Sequence, residues 1–222
     1  MPGLYNLLLS PHPDDLVFSA FSILIKNPNN LALVFFNVSR FTRWPVKSKK
    51  LVTSYRTFED RTILRSLKTK VKYLHLEDNS LKDSTDSDFI SNLKVGLDFP
   101  TKIYSPLGVG NSPNHLQVRK WAVDQWIKWE RKPQLYFYED LPYAAKLENL
   151  EHEEERIIVE LERSCGPLQK HAESLTGAQL QRKLRMCRAY FSQTDYTELI
   201  GQHAKKRAGP TMKFAEIFYR AG

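Results

Sequence analysis

Ser10-Pro11-His12-Pro13-Asp14-Asp15 closes a short apolar run, Leu4-Tyr5-Asn6-Leu7-Leu8-Leu9, and opens a helical one, Leu16 to Ile25. A strand that feeds a turn and then a helix puts the turn at the carboxyl edge of a sheet, where open α/β folds hold their ligands. His12 and Asp15 are three apart, so a tight turn stiffened by Pro13 can aim an imidazole nitrogen and a carboxylate oxygen at one point, as a catalytic Zn²⁺ needs. Asp14, between them, faces differently and is close enough to take a proton from a metal-bound water, the geometry of a general base. The same letters also spell a plain turn in which Asp14 or Asp15 caps the following helix. Spacing alone leaves both readings open.

Working outward, Leu16 to Ile25 is apolar nearly all round and reads as one buried helix, ended by Asn27-Pro28-Asn29-Asn30. Leu31 to Val38 is a continuous β-rich run, the mark of a central parallel strand. The loop after it, Ser39 to Pro45, returns to the ligand edge, where Arg43 and its aromatic neighbours are either substrate contacts or ordinary loop surface. Ser54 to Leu67 reads as an amphipathic helix with Tyr55, Phe58, Thr62 and Leu67 facing inward and Arg56 and Asp60 as an i, i+4 ion pair on its solvated face. Strands are expected over Val71 to Leu76, Lys102 to Ser105 and Gln134 to Tyr138, and a helix near Asp86 to Val95.

In Pro106 to Val118, Gly108 and Gly110 let backbone approach a site closely, Ser112 can cap a helix and Pro113 suits its first turn. His115 then lies in that first turn, at the same sheet edge as His12. On spacing alone an isolated histidine there is usually a surface residue. Trp121, Trp126 and Trp129 fall at helical spacing and read as core or interface. Glu139 and Asp140 follow a strand, as caps or substrate contacts. Arg156 to Leu161 is too short an apolar run to separate strand from helix, and Gln169 to Phe191 reads as helix.

With 222 residues the chain can bury one full core. A net charge of +8 and a pI near 9.4 admit nucleic acid, a membrane surface or an anionic small substrate as partner. The charges are dispersed, however: Lys47, Lys49 and Lys50, like Lys205, Lys206 and Arg207, read as solvated surface, and Glu151 to Glu155 forms an acidic patch. No nucleic-acid partner is expected. Cys165 and Cys187 sit in no ligand-spaced motif and read as free thiols. No basic leader precedes the first apolar run and no stretch approaches membrane-spanning length, so a cytoplasmic protein is expected.

The run Pro11-His12-Pro13-Asp14-Asp15 after an N-terminal apolar strand resembles the signature of the GlcNAc-phosphatidylinositol de-N-acetylase family, also called PIG-L or LmbE-like. Its members are metal-dependent, mostly zinc, hydrolases that remove N-acyl groups from amino sugars and related compounds. The resemblance implies His12 and Asp15 as metal ligands and Asp14 as base. It implies His115 as third ligand, because His115 matches the last residue of the family's His-x-Asp-His. Ser112 and Asn114 depart from that motif, standing where the family has its first histidine and its aspartate. The histidine is thought to stabilise the oxyanion or protonate the leaving amine, and its loss would remove the need for an aspartate to orient it. Further patches resemble the family as well: Arg56 with Glu59-Asp60, Tyr138-Glu139-Asp140-Leu141-Pro142-Tyr143-Ala144, Lys183 with Tyr190-Phe191-Ser192-Gln193, and Phe214-Ala215-Glu216-Ile217-Phe218.

The expectation is therefore one α/β domain over 1–222, Rossmann-like, with a mainly parallel sheet sandwiched by helices and an irregular cap from about residue 145. No glycine-rich dinucleotide fingerprint follows the first strand, so no nucleotide cofactor is implied. The expected activity is removal of an N-acyl group, acetyl above all, from an amino sugar or related small molecule. Zn²⁺, or another divalent ion such as Fe²⁺, would be held by His12, Asp15 and His115, and Asp14 would be the base. Arg43, Arg56, Ser112, Asn114, Glu139 and Asp140 are expected to touch substrate. The alternative is a non-catalytic or altered relative that keeps the metal pocket, favoured by Ser112 and Asn114.

Overall fold

The first strand, β1 (Asn6–Ser10), is buried along its whole length because parallel strands flank it on both sides. β2 (Asn30–Val34) pairs with one edge and β4 (Lys102–Pro106) with the other, so that Leu8 stands opposite both Ala32 and Tyr104. β3 (Lys70–Tyr73) extends the sheet beyond β2, and β5 (Gln134–Tyr138) beyond β4, all parallel. Two antiparallel strands, β6 (Leu168–Leu175) and β7 (Phe214–Ala221), complete the order β3-β2-β1-β4-β5-β7-β6. The computed structural model describes residues 5–46, 48–78, 90, 93, 95, 96 and 99–222, and the helix expected near 86–95 lies largely outside them. From β1 the chain winds outward through β2 and β3, then returns to lay β4 on the opposite flank. The turns after β1 and β4 therefore diverge and leave a crevice at the carboxyl edge, the switch point of a doubly wound sheet.

The helices are α1 (Asp15–Ser19), α2 (Phe21–Lys26), α3 (Lys49–Ser66), α4 (Pro113–Lys128), α5 (Tyr143–Lys146), α6 (Leu150–Cys165), α7 (Gly177–Arg188) and α8 (Thr197–Lys206). Four of them depart from the sequence reading. The helix expected over Leu16 to Ile25 is two, broken at Ala20, because Glu216 of β7 accepts the Phe21 and Ser22 backbone N–H groups at 3.2 and 2.8 Å and so satisfies the start of a new helix. α3 begins five residues earlier than expected, at Lys49 after its cap Ser48, and faces the other way: Tyr55 and Phe58 stand in solvent while Val52, Arg56, Glu59, Asp60, Ile63 and Leu64 are buried.

The helix expected over Gln169 to Phe191 is an edge strand followed by α7, which opens on a capping box between Thr176 and Gln179. Pairing along all of β7 overrides the weak strand propensity of Leu168–Leu175. Arg156 to Leu161 is helix, within α6. The segment after about 145, where an irregular cap is expected, consists of α6–α8 and the two strands that join the same sheet.

Trp121 and Trp126 are core residues, the first edge-on to Phe35 at 5.2 Å. Cys165 and Cys187 are free and buried. The reading of Lys205, Lys206 and Arg207 as solvated surface is corrected at one point: the Arg207 side chain is only 6% exposed and donates to both carboxylate oxygens of Glu154, at 2.7 and 2.8 Å.

Candidate functional site

The turn after β1 is closed by its own polar groups. The Ser10 hydroxyl donates to the His12 carbonyl at 2.7 Å, and the His12 backbone N–H donates to Asp15 Oδ2, also at 2.7 Å. Neither aspartate caps α1 with its side chain. Asp15 folds back over the turn, and Asp14 contributes only its carbonyl to the helix, which leaves its carboxyl group directed into the crevice. Asp14 has φ +110°, a region that favours glycine and costs a side-chain-bearing residue about 1–3 kcal/mol. Asp60, on the buried face of α3, stands behind this strained residue and accepts from the Tyr73 and Tyr190 hydroxyls at 2.8 and 2.9 Å. The helix face read as solvated is thus packed against the turn.

The turn after β4 brings in His115. Gly108 and Gly110 have φ +86° and +80°, and a Cβ on Gly110 would come within 2.9 Å of Tyr143 Cβ. Both positions require glycine. α4 then starts at Pro113 and sets His115 in its first turn, fully buried. His115 Nδ1 lies 2.6 Å from Asp140 Oδ1, while Asp140 Oδ2 accepts the Gly108 and Val109 backbone N–H groups at 2.7 and 2.9 Å. An ionised aspartate only accepts, so the imidazole proton sits on Nδ1 and Nε2 presents a lone pair.

That lone pair has no hydrogen-bond partner although it is buried, and it points at Asp15 Oδ2, 3.4 Å away. His12 Nδ1 is 3.3 Å from the same oxygen. Two ligands about 2.0 Å from one tetrahedral ion stand roughly 3.3 Å apart, so both spacings match the edge of a tetrahedron around a divalent cation. One donor atom from each of His12, Asp15 and His115 falls within 4.8 Å of the others. Three buried donors with one orphaned nitrogen are a fit to such an ion. Two imidazoles and a carboxylate suit zinc or iron(II) better than magnesium or calcium.

On its far side His12 Nε2 meets Asn114 Nδ2 at 2.8 Å, and the same amide nitrogen donates to Asp78 Oδ1 at 2.8 Å. Asn114 therefore bridges a candidate ligand to a second carboxylate. Asp78 arrives there because Val38 and Glu77 form a parallel bridge beyond β2 and β3, after which Ser39 Oγ donates to Asp78 Oδ2 at 2.9 Å. Burial opposes charging of His12, but Asp15 and Asp78 more than offset it and raise its pKa to about 10. Burial also drives the Asp14 carboxyl well above the usual carboxylate range, with Arg56 only partly opposing it. Asp15 moves the other way, because His115 and His12 together outweigh the effect of burial.

A cavity of about 230 Å³ opens over these groups, lined by His12, Asp14, Asp15 and Asp78 on its floor and by Arg56, Phe41, Tyr143, Lys146, Gln193 and Tyr196 around them. Arg56 is buried, and its Nε and Nη1 have no hydrogen-bond partner. Arg43 is exposed and does not line the cavity. Its backbone N–H donates to the Ser192 carbonyl. Ser112 is buried at the start of α4, but its hydroxyl makes no cap bond.

Glu139 turns away from the cavity toward His203, 2.7 Å off, and Arg207. Asp140 stands behind His115 rather than in the cavity. Of the six residues expected at substrate, Arg56 is the one that lines the cavity. Reading the sequence missed Asp78, Lys146 and Tyr196. Asp78 could have been found, since it follows an expected strand at the ligand edge.

No protein-family model matches the sequence, and no curated protein matches it. Solved structures do. The A40926 pseudoaglycone deacetylase Dbv21 superposes with a TM-score of 0.73 over 97% of this chain and 96% of its own, at 20% identity. The chain shares the fold of that deacetylase. The N,N'-diacetylchitobiose deacetylase of Pyrococcus horikoshii gives 0.67 at 15% identity, over 97% of this chain and 83% of the other. The same fold also carries different chemistry: a 4-carboxy-2-hydroxymuconate hydratase from Pseudomonas putida KT2440 gives 0.64 at 14% identity, over 98% and 96%. Fold alone therefore does not select the reaction, and the site must.

Proposed function

We propose that the chain is a metal-dependent hydrolase that removes an N-acyl group, acetyl above all, from an amino sugar or related small molecule. The observation that carries this reading is the orphaned, buried Nε2 of His115, aimed at Asp15 beside His12 with Asp14 held over the same point. A divalent ion bound by His12, Asp15 and His115 would polarise the acyl carbonyl and acidify a water.

Asp14 takes the proton of the attacking water as the new C–O bond forms, and a raised pKa suits that exchange near neutral pH. The same carboxyl returns the proton to the amine nitrogen as the C–N bond breaks, since Ser112 has no proton to offer at a useful pKa. Asp140 fixes the tautomer and orientation of His115. Arg56, whose Nη1 lies 4.0 Å from Asp78 Oδ2, offers two nitrogens without a hydrogen-bond partner to a hydroxyl or carboxylate of the substrate, with Lys146 at the rim.

A diacetylchitobiose deacetylase and a pseudoaglycone deacetylase with this fold support the substrate class. A cytoplasmic location fits the free, buried cysteines. Among the described residues no helix is long and apolar enough to cross a membrane.

Ser112 and Asn114 favour a second reading, in which the metal pocket serves altered chemistry, as the hydratase illustrates. One experiment separates the two. Protein purified without chelator is assayed for bound metal and for acetate release from N-acetylglucosamine derivatives, alongside His115→Ala. Metal and acetate release, both lost in the variant, support the hydrolase. Metal without acetate release from any N-acyl sugar favours the second reading, and absence of both rejects the site.

A further inference from the structure

We propose that the outer face of α3, with the 40–46 loop, docks on an anionic lipid surface and brings the cavity mouth against it. This goes beyond the hydrolase reading and does not depend on it. From Leu31 to Phe58 the sequence carries six Lys or Arg residues and no Asp or Glu. Arg40, Arg43 and Lys50 of that stretch are exposed.

Large apolar side chains stand in water among these charges. Leu51, Tyr55 and Phe58 are 52, 49 and 69% exposed at i, i+4 and i+7, so they form one stripe along α3. Trp44 packs edge-on to Tyr55 with ring centroids 5.5 Å apart and so ties the loop to that stripe. Phe41, 46% exposed, belongs to the cavity lining as well, which makes the patch continuous with the mouth. Phe191, 58% exposed, borders it through Ser192, whose carbonyl accepts from Thr42 Oγ1 and the Arg43 backbone, both at 3.0 Å.

A helix that buries one face in its own protein and shows a second, apolar and basic face to water matches an interfacial helix, with aromatics at the acyl boundary and cations at the headgroups. The charge pattern argues against other occupants. A second copy would oppose two faces on which the exposed Arg40, Arg43 and Lys50 outnumber the acids brought in by other elements, Glu77 paired with Lys49 at 3.1 Å and Asp195 near Arg43. A single-stranded nucleic acid needs a groove of stacking platforms, whereas this is the convex side of a helix with Leu51 at one end. An acidic protein seated here would cover Phe41 and close the cavity, while a lipid surface can present a headgroup-borne ligand to it.

The test is co-sedimentation of the full chain with vesicles of phosphatidylcholine alone and of phosphatidylcholine with phosphatidylglycerol, at low and high salt. Partition onto the anionic vesicles is expected, reduced by salt and about fivefold weaker in Lys50→Ser. Leu51→Ser and Phe58→Ser should each weaken it about tenfold, with at most a small drop in melting temperature because more than half of each side chain is already exposed. Vesicle binding does not require turnover, so an inactive protein still answers the question. The proposal is overturned by no partition at low salt, by equal partition onto phosphatidylcholine alone, or by undiminished partition of the Leu51→Ser, Phe58→Ser double variant. A concentration-dependent dimer lost in Phe58→Ser, without vesicle binding, would overturn it and assign the face to a second copy.

Discussion

Asp140→Asn is the sharpest probe of how the candidate ligand His115 is held. Asp140 is fully buried and accepts three hydrogen bonds, from His115 Nδ1 at 2.6 Å and from the Gly108 and Val109 backbone at 2.7 and 2.9 Å. An asparagine of the same shape accepts at one oxygen only, and its amide nitrogen must face a donor on the other side. If the oxygen keeps the two backbone bonds, the amide N–H meets His115 Nδ1 and pushes the imidazole proton to Nε2, the nitrogen meant for metal. If the oxygen keeps His115, two buried backbone N–H groups lose their acceptor at about 1–3 kcal/mol each.

The first arrangement keeps all three bonds, with the one to His115 reversed, and the second loses two, so the first should prevail. Metal affinity should then fall about 10- to 100-fold. Exchange of these charge-assisted bonds for neutral ones should lower the stability of the metal-free protein by about 2 kcal/mol, which is roughly 4–8 °C in melting temperature for a chain this long. Chelator competition measures the first effect, thermal melts the second, and ¹⁵N shifts of the imidazole report which nitrogen bears the proton. Unchanged affinity and tautomer, with a raised KM instead, would refute this reasoning and return Asp140 to the role of substrate contact.

Asp14→Asn should retain metal while turnover falls by about two to four orders of magnitude. The folded chain holds the Asp14 proton more tightly than the unfolded chain, so ionisation of Asp14 costs stability as pH rises above the usual carboxylate range. Metal-free Asp14→Asn should accordingly melt no lower than wild type at pH 7, and a clear drop would show that the carboxylate is stabilising. Metal must displace the proton that Asp15 and Asp78 hold on His12, so apparent affinity should rise about tenfold per pH unit between pH 6 and 9 in chelator competition; a flat profile would mean His12 is not a ligand.

Lys183, fully buried, donates to Glu216 at 2.6 Å, and Lys183→Met should cost about 3–5 kcal/mol in urea unfolding at pH 7. The penalty should shrink at acid pH, where the stranded carboxylate can protonate, and in the double variant with Glu216→Gln. Equal penalties at both pH values would mean Glu216 is not left charged.

The resemblance motifs converge on one another in space. Glu59 of α3 receives the Ser192 backbone and hydroxyl, Asp60 receives Tyr190, Glu216 receives Lys183, and Asp140 holds His115. Short patches scattered through 222 residues are in large part the two ends of buried hydrogen bonds. That was not legible residue by residue, because a buried Asp60 and a solvated one have the same i, i+4 neighbour.

What the sequence determined by itself was local. The apolar run of Leu7-Leu8-Leu9, the turn residues from Ser10 to Asp15 and the glycines at 108 and 110 dictate strand, turn and close approach through sterics acting over a few residues. Those rules sufficed for the parallel strands and for placing His115 at the same sheet edge as His12, whereas its grouping with His12 and Asp15 was implied only by the family resemblance. Tertiary structure decided what depends on distant partners: β6 is a strand only because β7 lies beside it, and the helix after Asp15 breaks where Glu216 caps its second half. Tertiary structure also turned Glu139 toward Arg207 and set Asp140 behind His115, since adjacent residues leaving a strand point to opposite sides and only the neighbouring elements determine what each one meets.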